Sequence, residues 1–129
     1  MRIISFSKKW QKLRQIEFTT FRFPRKDTVK GRDWHIGEVV QVYYKNRSPK
    51  REFLGIAEIT DKSPRWVVNR ILGNEGVGII EGEEARADGF TGCGEMEGWL
   101  IKEYGSKRIW EEPMNKLTLR WQSPSGVEE

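Results

Sequence analysis

Two residue types on which catalysis and metal binding often rest are almost missing from this chain of 129 residues, which has one Cys and one His. With Cys93 alone, no intramolecular disulfide and no cysteine-rich metal site is possible, a pattern that fits a reducing compartment. Glycines and a threonine flank it, and no neighbouring base activates its thiol. His35 alone cannot build a histidine cluster, so neither a metal nor a cofactor is expected. No apolar run approaches the roughly 18 residues needed to cross a bilayer. The first residues carry no long hydrophobic segment resembling a secretory signal, so the expectation is a cytoplasmic protein without a membrane partner.

What the chain does have is apolar bulk and an uneven charge. A hydrophobic content of 36% with 12% aromatics suffices for a packed core, and the length suits one domain over residues 1–122 followed by a tail at 123–129. Residues 1–51 hold 14 Lys and Arg against four Asp and Glu, a local charge of +10, whereas the remaining residues sum to −6. A positive field concentrated in one stretch attracts polyanions, which makes RNA or a nucleotide the first candidate partner. A protein partner stays open.

Hydropathy patterning predicts an opening strand at Arg2–Phe6 and a helix from Lys8 to about Ile16, capped by Ser7. Trp10, Leu13 and Ile16 would face inward and Lys8, Lys9, Lys12 and Arg14 outward. Further strands are expected over Phe18–Phe23, Val39–Tyr44, Glu52–Asp61 and Leu117–Trp121. Between them fall a polar loop at Arg25–Arg32, a turn at Ile36–Glu38 and a basic hairpin loop at Lys45–Arg51. A short helix is expected after Pro64, stopping at Gly73. Gly73–Gly78 reads as a connector, because its G-x-x-G-x-G spacing neither follows a clear strand nor opens a helix. Glu81–Asp88 forms one or two helical turns closed by Gly89. A helix capped by Thr91 runs to Tyr104 with Met96, Trp99, Leu100 and Tyr104 buried, and Ser106–Pro113 is a charged loop. Five or six strands with three or four short helices define an α+β domain built on a small β-barrel.

The stretch Glu17–Lys26 interleaves aromatics, hydroxyls and cations. Alternation places Phe18, Thr20 and Arg22 on one face and Thr19, Phe21 and Phe23 on the other, and Pro24 ends the strand. A guanidinium beside a hydroxyl and a ring suits a phosphate-bearing ligand with a planar base. Thr20 and Arg22 are therefore the leading contacts. Arg25, Lys26, Lys45, Arg47, Lys50 and Arg51, with Lys8 and Lys12, supply diffuse phosphate attraction. Trp34, Tyr43, Tyr44 and Trp66 are candidates for a stacking wall, with core packing the competing role. Asp88 either lines a cleft or ends a helix.

Several segments, in order, resemble the ASCH (activating signal cointegrator homology) family over residues 2–121: Thr19-Thr20-Phe21-Arg22, Ile36-Gly37-Glu38-Val39-Val40, Glu52-Phe53-Leu54-Gly55-Ile56-Ala57-Glu58-Ile59, Ala87-Asp88-Gly89-Phe90-Thr91 and Lys116-Leu117-Thr118-Leu119-Arg120-Trp121. The resemblance implies a PUA-like β-barrel with a cleft that binds RNA or a nucleotide. The alternative it carries is a small hydrolase, of ribonuclease or acetylcytidine amidohydrolase type. The amidohydrolase pattern has a Lys, a Thr three residues later, an Arg two after that, and an acid before a Gly-Phe-like turn. In this chain the last three fall on Thr20, Arg22 and Asp88, while Glu17 stands where the pattern has Lys. If the chain is a hydrolase, the resemblance implies Thr20, Asp88 and Glu17 as catalytic groups. A carboxylate in place of the cation reverses the field at a developing oxyanion, leaving Glu17 to act as a base or to pair with Arg22.

Overall fold

The computed structural model describes residues 1–25, 33–68 and 76–124. Five strands form one sheet: β1 (Ile3–Phe6), β2 (Glu17–Arg22), β3 (Val39–Tyr44), β4 (Glu52–Arg65) and β5 (Met114–Pro124). Their spatial order is β1-β3-β4-β5-β2, which leaves β1 and β2 as the two edges. The β1–β3 pairing is parallel, and β3–β4, β4–β5 and β5–β2 are antiparallel. Register shifts at Val42/Tyr43, Ile56/Ala57 and Ile59/Asp61 mark irregularities in the long central strands, and such bulges increase twist and bend a sheet. The sheet accordingly curls into a half-barrel. Its two edges approach each other. The rings of Phe6 on β1 and Phe18 on β2 meet edge to face at 6.2 Å, and Arg22 Nη2 donates to the Ser5 carbonyl at 2.9 Å.

Inside the curl lies a core of Ile4, Val40, Val42, Ala57, Ile59, Leu117 and Leu119, together with Phe6, Phe18 and Trp121. A second core joins Phe21, Phe23 and Met114 to the helices α1 (Gly82–Ala87), α2 (Cys93–Tyr104) and α3 (Ser106–Glu111) through Ala85, Met96, Leu100 and Ile109. Trp10 packs against both. No helix among the described residues is long and apolar enough to cross a membrane.

Several expectations need correction. The helix foreseen from Lys8 to Ile16 is a single 3₁₀ turn, Gln11–Arg14, preceded by Trp10 and without a side-chain cap. Its tighter period turns Lys12 inward, and Ile16 lies 62% exposed. Strand β4 runs through Pro64 to Arg65, because β5 extends antiparallel beside it from Pro124 back to Met114. That pairing also carries β5 two residues into the stretch assigned to the tail. Leu54 has no partner in the β3–β4 register, where Val42 faces Gly55 and Tyr43 faces Phe53. The extra residue breaks the period-two alternation that would set Phe53 with Gly55, Ala57 and Ile59 on one face and Leu54 on the other: Leu54 is buried and Phe53 faces outward. Helix α2 begins after Gly92, with no cap from Thr91, and Tyr104 at its end is 36% exposed. Ser106–Glu111 is helical, with Ile109 fully buried. After Pro64, Trp66 makes an isolated bridge to Ile79. The remainder of the helix expected there, with the first part of the Gly73–Gly78 connector and most of the Arg25–Arg32 loop, lies outside the described residues.

Candidate functional site

A cleft of about 1060 Å³ opens where the two edge strands fail to pair. Ile3, Ser5 and Phe6 of β1 form one wall, Thr20, Phe21 and Arg22 of β2 the other, and Trp10, Lys12, Asp88, Phe90 and Trp99 line it further. Arg25, Trp34, Lys45, Asn46, Arg47 and Ser48 also border it.

Its most unusual element is an ion pair out of water. Lys12 Nζ donates to Asp88 Oδ1 at 2.6 Å, and the two side chains are only 4% and 8% exposed. Each is held there by local structure. The Lys12 turn is pinned by Trp121, whose Nε1 donates to the Leu13 carbonyl at 3.1 Å. Asp88 ends α1, and Gly89 follows with φ of +114°, a conformation costly for any side chain. A Cβ at Gly89 would stand 2.6 Å from Cε3 of Trp10, so this glycine also lets the indole close over the pair. Trp10 packs in turn against Phe90, tilted, and Trp99, edge to face, at 5.1 and 5.5 Å between ring centroids.

Burial works against both charges. It pushes the Lys12 ammonium below its ordinary value, against the attraction of Asp88. It pushes the Asp88 carboxyl above its ordinary value, against Lys12, Arg22 and the nearby Thr19. The rings of Phe6 and Trp10, 5.2 and 5.7 Å from Lys12 Nζ, offset part of the lost hydration. Thr19 Oγ1 is buried without a hydrogen bond of good geometry.

Thr20, only 4% exposed, accepts from Arg22 Nε at 3.2 Å. Because arginine only donates, the Thr20 hydroxyl keeps its own proton free to give to a base or a ligand. The Arg22 guanidinium also lies over the Phe6 ring at 4.9 Å, which orients it along the seam.

The sequence-derived residues separate cleanly. Thr20, Arg22 and Asp88 meet in the cleft, with Arg25, Lys45 and Arg47 on its border. Lys50 and Arg51 lie beyond it on the hairpin, and Lys26 lies outside the described residues. Glu17 is exposed, sits opposite Arg120 on β5 and does not line the cleft, while the donors of Arg22 go to Thr20 and Ser5. Trp66 is a core residue, Tyr44 packs on the core, Trp34 borders the cleft, and Tyr43 lies half-exposed on the outer face. Lys12 was assigned to the solvated face. Its position between Trp10 and Leu13, both expected to face inward, was the available hint.

Compared with family models, with curated proteins and with solved structures, the chain matches none.

Proposed function

We propose that the seam cleft binds RNA or a nucleotide, in keeping with the resemblance to PUA-like ASCH domains. The observation that supports this reading is the convergence of Thr20 and Arg22 with Lys12, Arg25, Lys45 and Arg47 around one cavity walled by Phe6, Trp10 and Trp99. Arg22 offers a positive charge and the N–H groups not given to Thr20 and Ser5 to a phosphate, Thr20 a hydroxyl for a base or ribose, and the rings a face for stacking.

A second reading, hydrolysis of a modified nucleoside such as acetylcytidine, is favoured by the Lys12–Asp88 pair. Glu17 cannot supply the missing cation, but Lys12 brings an amine to the same cleft from a different element. A lysine whose ammonium is destabilised by burial reaches its neutral, proton-accepting form more readily. On this reading Thr20 Oγ attacks the acetyl carbonyl and its proton passes to Lys12. The cytidine amine leaves with a proton, and water then hydrolyses the acyl-Thr20 ester to acetate and the free hydroxyl.

One set of proteins tests both readings. RNA affinity should fall steeply with added salt, and Arg22→Ala should weaken it roughly tenfold at fixed salt, in proportion to a lost charged contact. Salt-insensitive binding, or none at high micromolar RNA, rejects the binding reading. Deacetylation followed by chromatography should disappear in Thr20→Ala if the hydrolase reading holds, and its absence in the native protein rejects that reading.

A further inference from the structure

Outside the cleft, the β3–β4 hairpin carries an aromatic pair that the core does not use. Tyr43 and Phe53 face each other in the β3–β4 register with ring centroids 5.3 Å apart, and Phe53 is 45% exposed. The Arg51 guanidinium lies 4.5 Å from the Tyr43 ring. In the parallel β1–β3 register the residue opposite Tyr43 is Ser5, which lines the cleft. Cross-strand partners share a face, so Ser5, Tyr43 and Phe53 form one row across three strands, leading outward from the cleft over roughly 10 Å. The loop that closes this hairpin contributes Lys45 and Arg47 to the cleft and carries Lys50 and Arg51 beyond it.

We infer that this row is the path of a single-stranded RNA whose terminal or splayed nucleotide occupies the cleft. This deepens the binding reading and rests on it. Exposed rings beside cations are the arrangement that holds successive bases while phosphates track a basic edge, whereas an apolar protein partner would meet four cations on the same hairpin. The two rings offer stacking faces for the nucleotides next to the bound one. Arg51, on the Tyr43 ring, is placed to meet both a base plane and a phosphate. The site is thereby extended to an oligonucleotide.

The experiment compares two probes on the full chain: a mononucleotide by calorimetry and a fluorescent single-stranded RNA of about eight nucleotides by anisotropy. The native protein should hold the oligomer more tightly than the mononucleotide. Tyr43→Ser and Phe53→Ser should each weaken the oligomer by roughly fivefold or more, the scale of one lost stacking contact, and leave mononucleotide affinity unchanged. Arg51→Glu, which keeps both rings, should weaken the oligomer and make its affinity fall less steeply with salt. Oligomer binding that is tight yet insensitive to all three substitutions overturns the path while preserving the cleft. Equal affinity for the two probes does the same. Failure of both probes to bind removes the cleft reading and this inference together.

Discussion

Among the described residues, the buried and half-buried carboxylates with shifted titration fall into two kinds that answer burial in opposite ways. Asp33 accepts from the backbone N–H of Arg25 and Trp34 through one oxygen and from Lys62 and Asn115 through the other. Glu84 gathers Arg65, Lys116 and the Glu81 backbone N–H, and Glu38 takes the fork of Arg2 together with the His35 N–H. In all three, partial burial alone would raise the pKa, but the accumulated donors lower it below the ordinary carboxylate value. Asp88 has one short bond to Lys12 in a far drier place, and burial prevails. Carboxylates with several donors are held in the ionised form and act as brackets: Asp33 ties the start of β5 to Arg25 and Trp34. In the cleft pair burial opposes the charge on both partners, so each ion depends on the other for its compensation.

The largest expected effect breaks that contrast at its centre. Lys12→Met leaves Asp88 buried without its counterion and should cost about 3–5 kcal/mol in urea denaturation, whereas Lys12→Met with Asp88→Leu should regain most of it, because the buried ions are then gone together. A single substitution costing under about 1 kcal/mol would mean that water reaches the pair.

A smaller effect separates the two kinds by pH. Asp33, Glu38 and Glu84 have lowered folded values, so the stability they contribute is present above their unfolded values of 3.8 to 4.5 and is lost as pH falls through the folded ones. Asp88 has a raised folded value and works the other way. In the window above 3.8 the native state holds the extra proton, so its contribution declines as pH rises. Asp33→Asn with Glu84→Gln should flatten the acid limb of stability against pH, and Asp88→Asn should steepen the net rise across the window above 3.8. Matching slopes in the two proteins would erase the distinction.

The smallest effect belongs to Glu17→Gln, which should change stability by no more than about 0.5 kcal/mol and leave RNA affinity and any deacetylation as they were. A loss of either would return Glu17 to the site.

Much of the sheet was legible because alternation is a short-range signal: Val39–Tyr44 and Leu117–Trp121 carry it in the residues themselves. The exceptions have physical reasons. Leu54 and Phe53 exchange roles because a bulge inserts one residue, which period-two reading cannot anticipate. The helix at Ser106–Glu111 carries one buried apolar side chain, Ile109, too little for a stripe. Thr20 and Arg22 were identifiable from the strand that carries them, whereas Asp88 joined them only through the resemblance to ASCH domains. Lys12 was not, because a four-residue 3₁₀ turn has no amphipathic pattern to show, and because its partner lies 76 residues away. Glu17 looked relevant only through its nearness in sequence to Thr20. Along a strand, three residues reverse the face.

The placement of β2 has a consequence for the order in which the protein comes into being. Its sheet neighbour is β5, so the strand carrying Thr20 and Arg22 is synthesised early and then waits for residues from Met114 onward. A nascent chain halted before that point can pair β1, β3 and β4, but it holds β2 without a ladder and the cleft without its second wall. Such long sequence separation slows folding and gathers it into one late event. An incomplete chain therefore lacks the completed cleft, whose second wall forms only when β5 has joined the sheet.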